Sequence, residues 1–147
     1  MLESGDSKGA LEYIKKDYDV YLGGVFEEIV KEAFIKWCIT NRITWDRIGR
    51  WWFKDMEIDL VGLSATRDEL LCGEIKWTKK QVKKKLVGQL IEKSEQIRWG
   101  SPKRKERFII ISRGGFSADC KQMMESENIF HWTLEELSGI FWDKNDR

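Results

Sequence analysis

Asp59 and Glu74 stand fifteen residues apart, and Lys76 follows Glu74 at the second position. Each carboxylate lies within a short, largely apolar run, MEIDLVGLS (56–64) and ELLCGEIKW (69–77). Strand alternation puts Glu57, Asp59 and Val61 on one face of the first run, with Ile58 and Leu60 opposite. In the second it groups Cys72, Glu74 and Lys76, with Leu71, Gly73, Ile75 and Trp77 opposite. A strand centre is half-buried, and charge there is costly unless it is paired or bound to a metal. Two carboxylates brought together also repel unless a cation lies between them. Hard oxygen donors suit Mg²⁺ or Mn²⁺, which take few protein carboxylates and keep several waters. A lysine beside such an ion can orient or deprotonate an attacking water, or neutralise charge developing on a phosphorane. A solvent-facing Glu–Lys or Asp–Lys pair uses the same residues without chemistry, and on the strands alone both readings stand.

The elements that would position these groups are legible around them. At 147 residues the chain has room for one core, so a single domain over 1–147 is expected. VFEEIVKEAFIKWCI (25–39) carries apolar residues at helical spacing, Leu11–Tyr18 reads as a separate short helix, and Gly23-Gly24 reads as a turn or helix start between them. ITWDRIGRWWF (43–53), 56–64 and 69–77 form an antiparallel meander with a polar turn at Ala65–Asp68. Val82–Trp99 returns to helical period, with Val82, Leu86, Leu90 and Ile97 on one stripe. RFIIIS (107–112) fits a buried central strand ended by Arg113-Gly114-Gly115, and Ser117 caps a helix to about Glu125. NIFHW (128–132) is a last strand, and Thr133-Leu134-Glu135-Glu136 has the capping-box spacing of a terminal helix. The fold class is α/β, a three-layer-like sandwich with a mixed sheet.

The net charge of +1 hides an asymmetry. From Lys76 to Arg107 twelve Lys/Arg face three acids, a balance of +9, so the remainder carries −8. Such a block is an electrostatic footprint for a polyanion or a solvated helix face. No run of eighteen apolar residues offers a membrane span and no apolar leader opens the chain. Cys38, Cys72 and Cys120 are odd in number, scattered and without a Cys-x-x-Cys spacing. Reduced thiols and a cytoplasmic protein are therefore expected, with no disulfide framework or zinc site. His131, the one histidine, reads as structural. Trp51-Trp52 and Trp77 offer rings for stacking on bases, though packing uses the same residues, and alternation assigns Trp77 to the core.

The ordered set GGVFEEIVKEAF, IGRWW, EIDLVGL and GEIKWT resembles the PD-(D/E)xK nuclease superfamily. More closely, it resembles the predicted-nuclease C-terminal domain of archaeal AAA-type ATPases. The resemblance covers residues 11–137 and implies a restriction-endonuclease-like core of order α-β-β-β-α-β. It implies that Asp59 and Glu74 bind Mg²⁺ or Mn²⁺, that Lys76 is the catalytic lysine, and that Glu27 is the acidic residue reaching the site from the first helix. Glu28 is adjacent, and only one of the two can face the sheet. Gln89 matches a glutamine that contacts the site in some subfamilies, while Lys93 stands where a tyrosine usually follows. Ile58 stands where the family often has proline. The chain has no G-x-x-x-x-G-K-[ST] and no helix-turn-helix pattern, so it is either a detached domain or a piece cut from a longer protein, and an AAA-type ATPase module is a partner the resemblance allows.

The leading expectation is a metal-dependent deoxyribonuclease. Lys79, Lys80, Lys83, Lys84, Lys85, Lys103, Arg104 and Lys105 would hold backbone phosphate, and a homodimer is possible. Its rivals are a nuclease-like module that holds DNA or an ATPase without cutting, and an adaptor whose basic face docks an acidic protein.

Overall fold

A computed structural model describes the backbone of residues 7–141 and the side chains of 21–140. The elements run α1 (Ser7–Thr40), β1 (Arg47–Phe53), β2 (Met56–Ser64), β3 (Glu69–Lys76), α2 (Lys84–Ser94), β4 (Lys105–Ser112), α3 (Ala118–Ser126), β5 (Phe130–Trp132) and α4 (Leu134–Phe141). The strands form one mixed sheet in sequence order. β1–β2 and β2–β3 pair antiparallel, as short turns allow. β3–β4 and β4–β5 pair parallel, each across a helical crossover. This is the expected α-β-β-β-α-β core.

Two apolar clusters sandwich the sheet. Phe26, Val30, Phe34 and Cys38 of α1 and Leu137 of α4 cover Leu60, Leu71, Ile75, Ile109 and Ile111. On the other face Val87 and Leu90 of α2 and Cys120 and Met124 of α3 cover Ile58, Val61, Leu70, Cys72 and Ile110. β3 is buried along nearly its whole length because both faces are covered.

Three expectations need correction. Gly23-Gly24 is neither a turn nor a helix start, because α1 runs through it unbroken. Neither glycine adopts the positive φ a turn would use; glycine weakens a helix by about 1 kcal/mol without ending it. α2 begins at Lys84 and ends at Ser94. Val82 instead makes a parallel bridge to Phe116, with its N–H on the Gly115 carbonyl at 2.9 Å. Gly114 lets the backbones meet there, since a Cβ would fall 2.3 Å from the Lys80 carbonyl oxygen.

The third correction concerns β2. Gly49 pairs with Val61 but Trp51 pairs with Ile58, so Arg50 alone opposes Asp59 and Leu60. This bulge shifts the phase of alternation. Ile58 and Val61 share one core and Leu60 enters the other, so the simple grouping of Glu57, Asp59 and Val61 fails.

Candidate active site

The bulge is what aims Asp59. The β2–β3 ladder ends at the Leu60–Gly73 pair, which frees the next stretch of β3 from β2 backbone partners. The Asp59 carboxylate replaces them, its Oδ2 accepting the Ile75 N–H at 2.9 Å. Asp59 is thereby tied to the residue next to Glu74.

Glu74 is a buried carboxylate, 4% exposed. Burial raises its pKa first, and the Asp59 charge raises it further; Lys93 and Lys76 pull it back. Lys93 of α2 reaches across to donate to Glu74 Oε1 at 2.9 Å and to the Glu57 carbonyl at 3.0 Å. Glu27 of α1 also has a raised pKa, by burial and then by the same Asp59 charge. Arg50 pairs with Glu27 and places its Nε 3.2 Å from Glu57 Oε1. Glu28 points outward, its side chain 74% exposed beside Lys31, so Glu27 is the one that faces the sheet. Glu27, Glu57, Asp59 and Glu74 thus meet three cations, Arg50, Lys76 and Lys93. Arg50 and Lys93 carry site contacts absent from the sequence reading. Lys93 had a signal in its helical spacing from Gln89, whereas Arg50 had none before the bulge was known.

The donor set fits a hard divalent ion: two carboxylates, both oxygen ligands, one of them made harder to ionise by the other. Mg²⁺ and Mn²⁺ need no more than one or two protein carboxylates. Among the described residues no group of three or more His, Cys, Asp or Glu is arranged to hold a metal, so waters or substrate oxygens would complete the shell.

Lys76 ends β3 opposite Ser112. It shares a groove of about 640 Å³ with Gln89 of α2, Lys80, Lys83 and Lys85. Lys79, Lys80, Lys83, Lys84 and Lys85 are exposed at this end of the sheet. Lys105 pairs in register with Glu69, at the other end of β3. Five residues of strand, about 17 Å, separate that position from Glu74. The basic segment is therefore two patches, not one.

Arg104 is not a free cation for phosphate. Its guanidinium donates to the carbonyls of Ile97 and Trp99, both at 2.6 Å, and of Ser94 at 3.0 Å, and pairs with Glu106 at 3.1 Å. It satisfies the last carbonyl of α2 and two carbonyls of the loop that follows.

The remaining tryptophan, histidine and cysteine candidates, Trp52 apart, are packed into the fold. Trp77 packs 5.0 Å from Phe26, with the Arg113 guanidinium 3.9 Å over its ring. Trp51 packs on the α2-side core, whereas Trp52 is 69% exposed. His131 sits edge-on to Phe116, and the three cysteines are buried and free. No described helix is long and apolar enough to cross a membrane.

The family described as archaeal and bacterial proteins of unknown function (DUF234) matches residues 1–87. That span holds Glu27, Asp59, Glu74 and Lys76 and stops short of Gln89 and Lys93. An uncharacterised protein of Methanocaldococcus jannaschii is 38% identical over 91 residues, covering 59% of this chain and 21% of the relative. Among solved structures, the MspJI restriction endonuclease in complex with a 27-mer oligonucleotide superposes with a TM-score of 0.56 at 12% identity. It covers 95% of this chain and 32% of that one. The chain thus spans about a fifth and a third of these two proteins, and the likeness to the second is one of fold, restriction-endonuclease-like.

Proposed function

The chain belongs to the DUF234 family, and within it we propose that this domain is a Mg²⁺- or Mn²⁺-dependent DNA phosphodiesterase. The observation that carries the reading is the β2 bulge, which trades a ladder bond for an Asp59 carboxylate fixed beside the buried Glu74. A fold has no packing use for a second carboxylate beside a buried one near the end of β3, where the Asp59 charge raises the cost of ionising Glu74. Asp59 and Glu74 would hold the ion, which when bound supplies Lewis-acid stabilisation of the phosphoryl oxygens and a more acidic water. Lys76, two residues beyond Glu74, donates to the attacking water or to a phosphoryl oxygen as charge develops. Arg50 restrains Glu27 at the rim, and Gln89 lines the groove that leads to Lys76. Lys79, Lys80, Lys83, Lys84 and Lys85 attract backbone phosphate without reading bases.

A second reading, a DNA- or ATPase-binding module that does not cut, is favoured by one observation: the Lys93 ammonium already occupies Glu74. Incubating the protein with linear, nicked and single-stranded DNA in Mn²⁺, Mg²⁺ or EDTA separates the two. Cleavage in Mn²⁺ that EDTA and Asp59→Asn abolish is expected. Salt-dependent binding without cleavage of any form would leave the binding module.

A further inference from the structure

A second cavity, of about 230 Å³, opens at the opposite end of β3, between the C-terminal turns of α1 and the sheet. Its walls are aromatic: Phe34, Trp37, Trp45 and Phe130. Its polar groups are Glu69 with Arg67, Arg107 and Arg42. It lies on the α1 face of the sheet, because Glu69 shares the alternation of Leu71 and Ile75, whose side chains enter the α1-side core. Glu74 is five residues away, about 17 Å along the strand. The two sites are therefore separate.

We propose that this cavity binds a nucleotide: a heteroaromatic ring carrying a phosphate, either free or at the end of a DNA strand. Charge is the first argument. Glu69 is 4% exposed and is met by Arg107 Nε at 2.9 Å and Arg67 Nε at 3.5 Å. With Arg42 the cavity carries three guanidiniums against one carboxylate, a surplus that selects an anion. Shape is the second. Aromatic rings and a guanidinium, with Arg67 lying 4.7 Å over the Trp45 ring, are the surfaces on which bases stack. The third is hydrogen bonding. Among the described residues Arg67 Nη2 is buried without a partner, and a buried donor of this kind calls for an acceptor. A base offers that acceptor, and an exocyclic amine can donate to Glu69.

The cavity is also built rather than left over. Trp45 has its place because Gly62 has no side chain: a Cβ there would sit 3.1 Å from the indole. Arg42 holds the left-handed conformation just past α1, φ 57°, where glycine or asparagine fits with less strain. A peptide carboxylate would use the guanidiniums but bring no heteroaromatic ring to the Trp37 and Trp45 walls, so a nucleotide uses more of the lining.

The test is calorimetric titration of the full chain, in EDTA, with nucleoside 5′-monophosphates and with short single strands bearing or lacking a 5′-phosphate. One saturable site is expected for the mononucleotides, and for the strands one 5′-phosphate-dependent site besides the basic groove at Lys80, Lys83 and Lys85. Arg42→Glu, at an exposed position, should keep the melting temperature and weaken binding tenfold or more, the order of one lost charge-assisted hydrogen bond. Phe130→Ala should weaken it too, while Asp59→Asn, at the other end of the sheet, should leave it unchanged. Mononucleotides binding as tightly as strands would identify a free nucleotide; binding only by 5′-phosphorylated strands would identify a strand end. Either supports the proposal. No saturable binding up to millimolar ligand overturns it. So does binding of the mononucleotides, or 5′-phosphate-dependent binding of the strands, that survives Arg42→Glu. Loss of DNA cleavage has no bearing on these outcomes, so this proposal and the nuclease reading fail independently.

Discussion

Lys93→Met offers the most direct test of how the carboxylate site is balanced. Lys93 Nζ lies 2.9 Å from Glu74 Oε1, with the two side chains 30% and 5% exposed. Breaking a fully buried pair by removing one partner costs about 3–5 kcal/mol. Lys93 is partly solvated and Lys76 still lowers the pKa of Glu74, so about 2 kcal/mol is the reasonable share here. For a chain of this size that corresponds to a fall in melting temperature of roughly 4–8 °C in EDTA. Methionine keeps the length of the stem and its packing, so the loss reports the charge. A divalent ion at Asp59 and Glu74 must compete with the same ammonium. Removing it should raise apparent Mn²⁺ affinity by up to about 30-fold, 2 kcal/mol at 1.4 per decade. Saturating Mn²⁺ should then restore much of the lost stability, because a ligand stabilises by its occupancy of the folded state. The assay is thermal unfolding of both proteins across a Mn²⁺ series, repeated in a Glu74→Gln background, where Lys93→Met should cost little. Equal Mn²⁺-induced shifts in the two proteins, or an undiminished cost in the Glu74→Gln background, would refute the competition.

Other perturbations address the remaining parts. Lys76→Ala should reduce cleavage by about 10²–10³ with DNA affinity nearly intact in a filter-binding assay, because Lys76 is one cation among many. Replacing Lys83, Lys84 and Lys85 by alanine should lower the slope of log K against log salt by up to about 2.7 on duplex DNA, with similar loss for every sequence. Arg104→Ala should instead cost about 2–3 kcal/mol in urea unfolding, through lost charge-assisted bonds to three carbonyls, and leave the salt slope nearly unchanged. The raised Glu74 carboxyl makes a pH prediction. Between its unfolded value of about 4.5 and its higher folded value, the native state holds a proton that the unfolded chain has lost. That stabilisation is complete below the unfolded value and disappears as pH rises through the folded one. In EDTA, wild type should therefore gain stability relative to Glu74→Gln as pH falls toward 4.5, and a flat difference would contradict the burial assigned to Glu74.

Periodicity along the chain determined most of the architecture. The β2 and β3 spans, the apolar β4 and the Ser117 and Thr133 caps depend on neighbours a few residues apart, and local sequence carries that information. Both cap bonds form, Ser117 Oγ with the Cys120 N–H and Thr133 Oγ1 with the Glu136 N–H. Asp59, Glu74 and Lys76 were likewise legible as a candidate set, from residue type and spacing. What local pattern could not carry was any effect that depends on two segments meeting. The bulge exists because β1 and β2 pair out of step, and it alone turns Asp59 from a face residue into a partner of the Ile75 N–H. Glu27 and Glu28 are equivalent in sequence; the rotation of α1 against the sheet decides that Glu27 faces the site. The Lys76–Arg107 block looked continuous because charge was summed along the chain, but α2 and the loop after it carry its far end to the opposite end of β3. Arg104 falls in that block for the same reason, and three carbonyls, of Ser94 at the end of α2 and of Ile97 and Trp99 in the loop after it, take it out of the free cations. Arg67, Arg107 and Glu69 meet Trp37 and Trp45 only after the sheet closes against α1. Composition shows such residues to be present, but tertiary structure alone makes them a cavity.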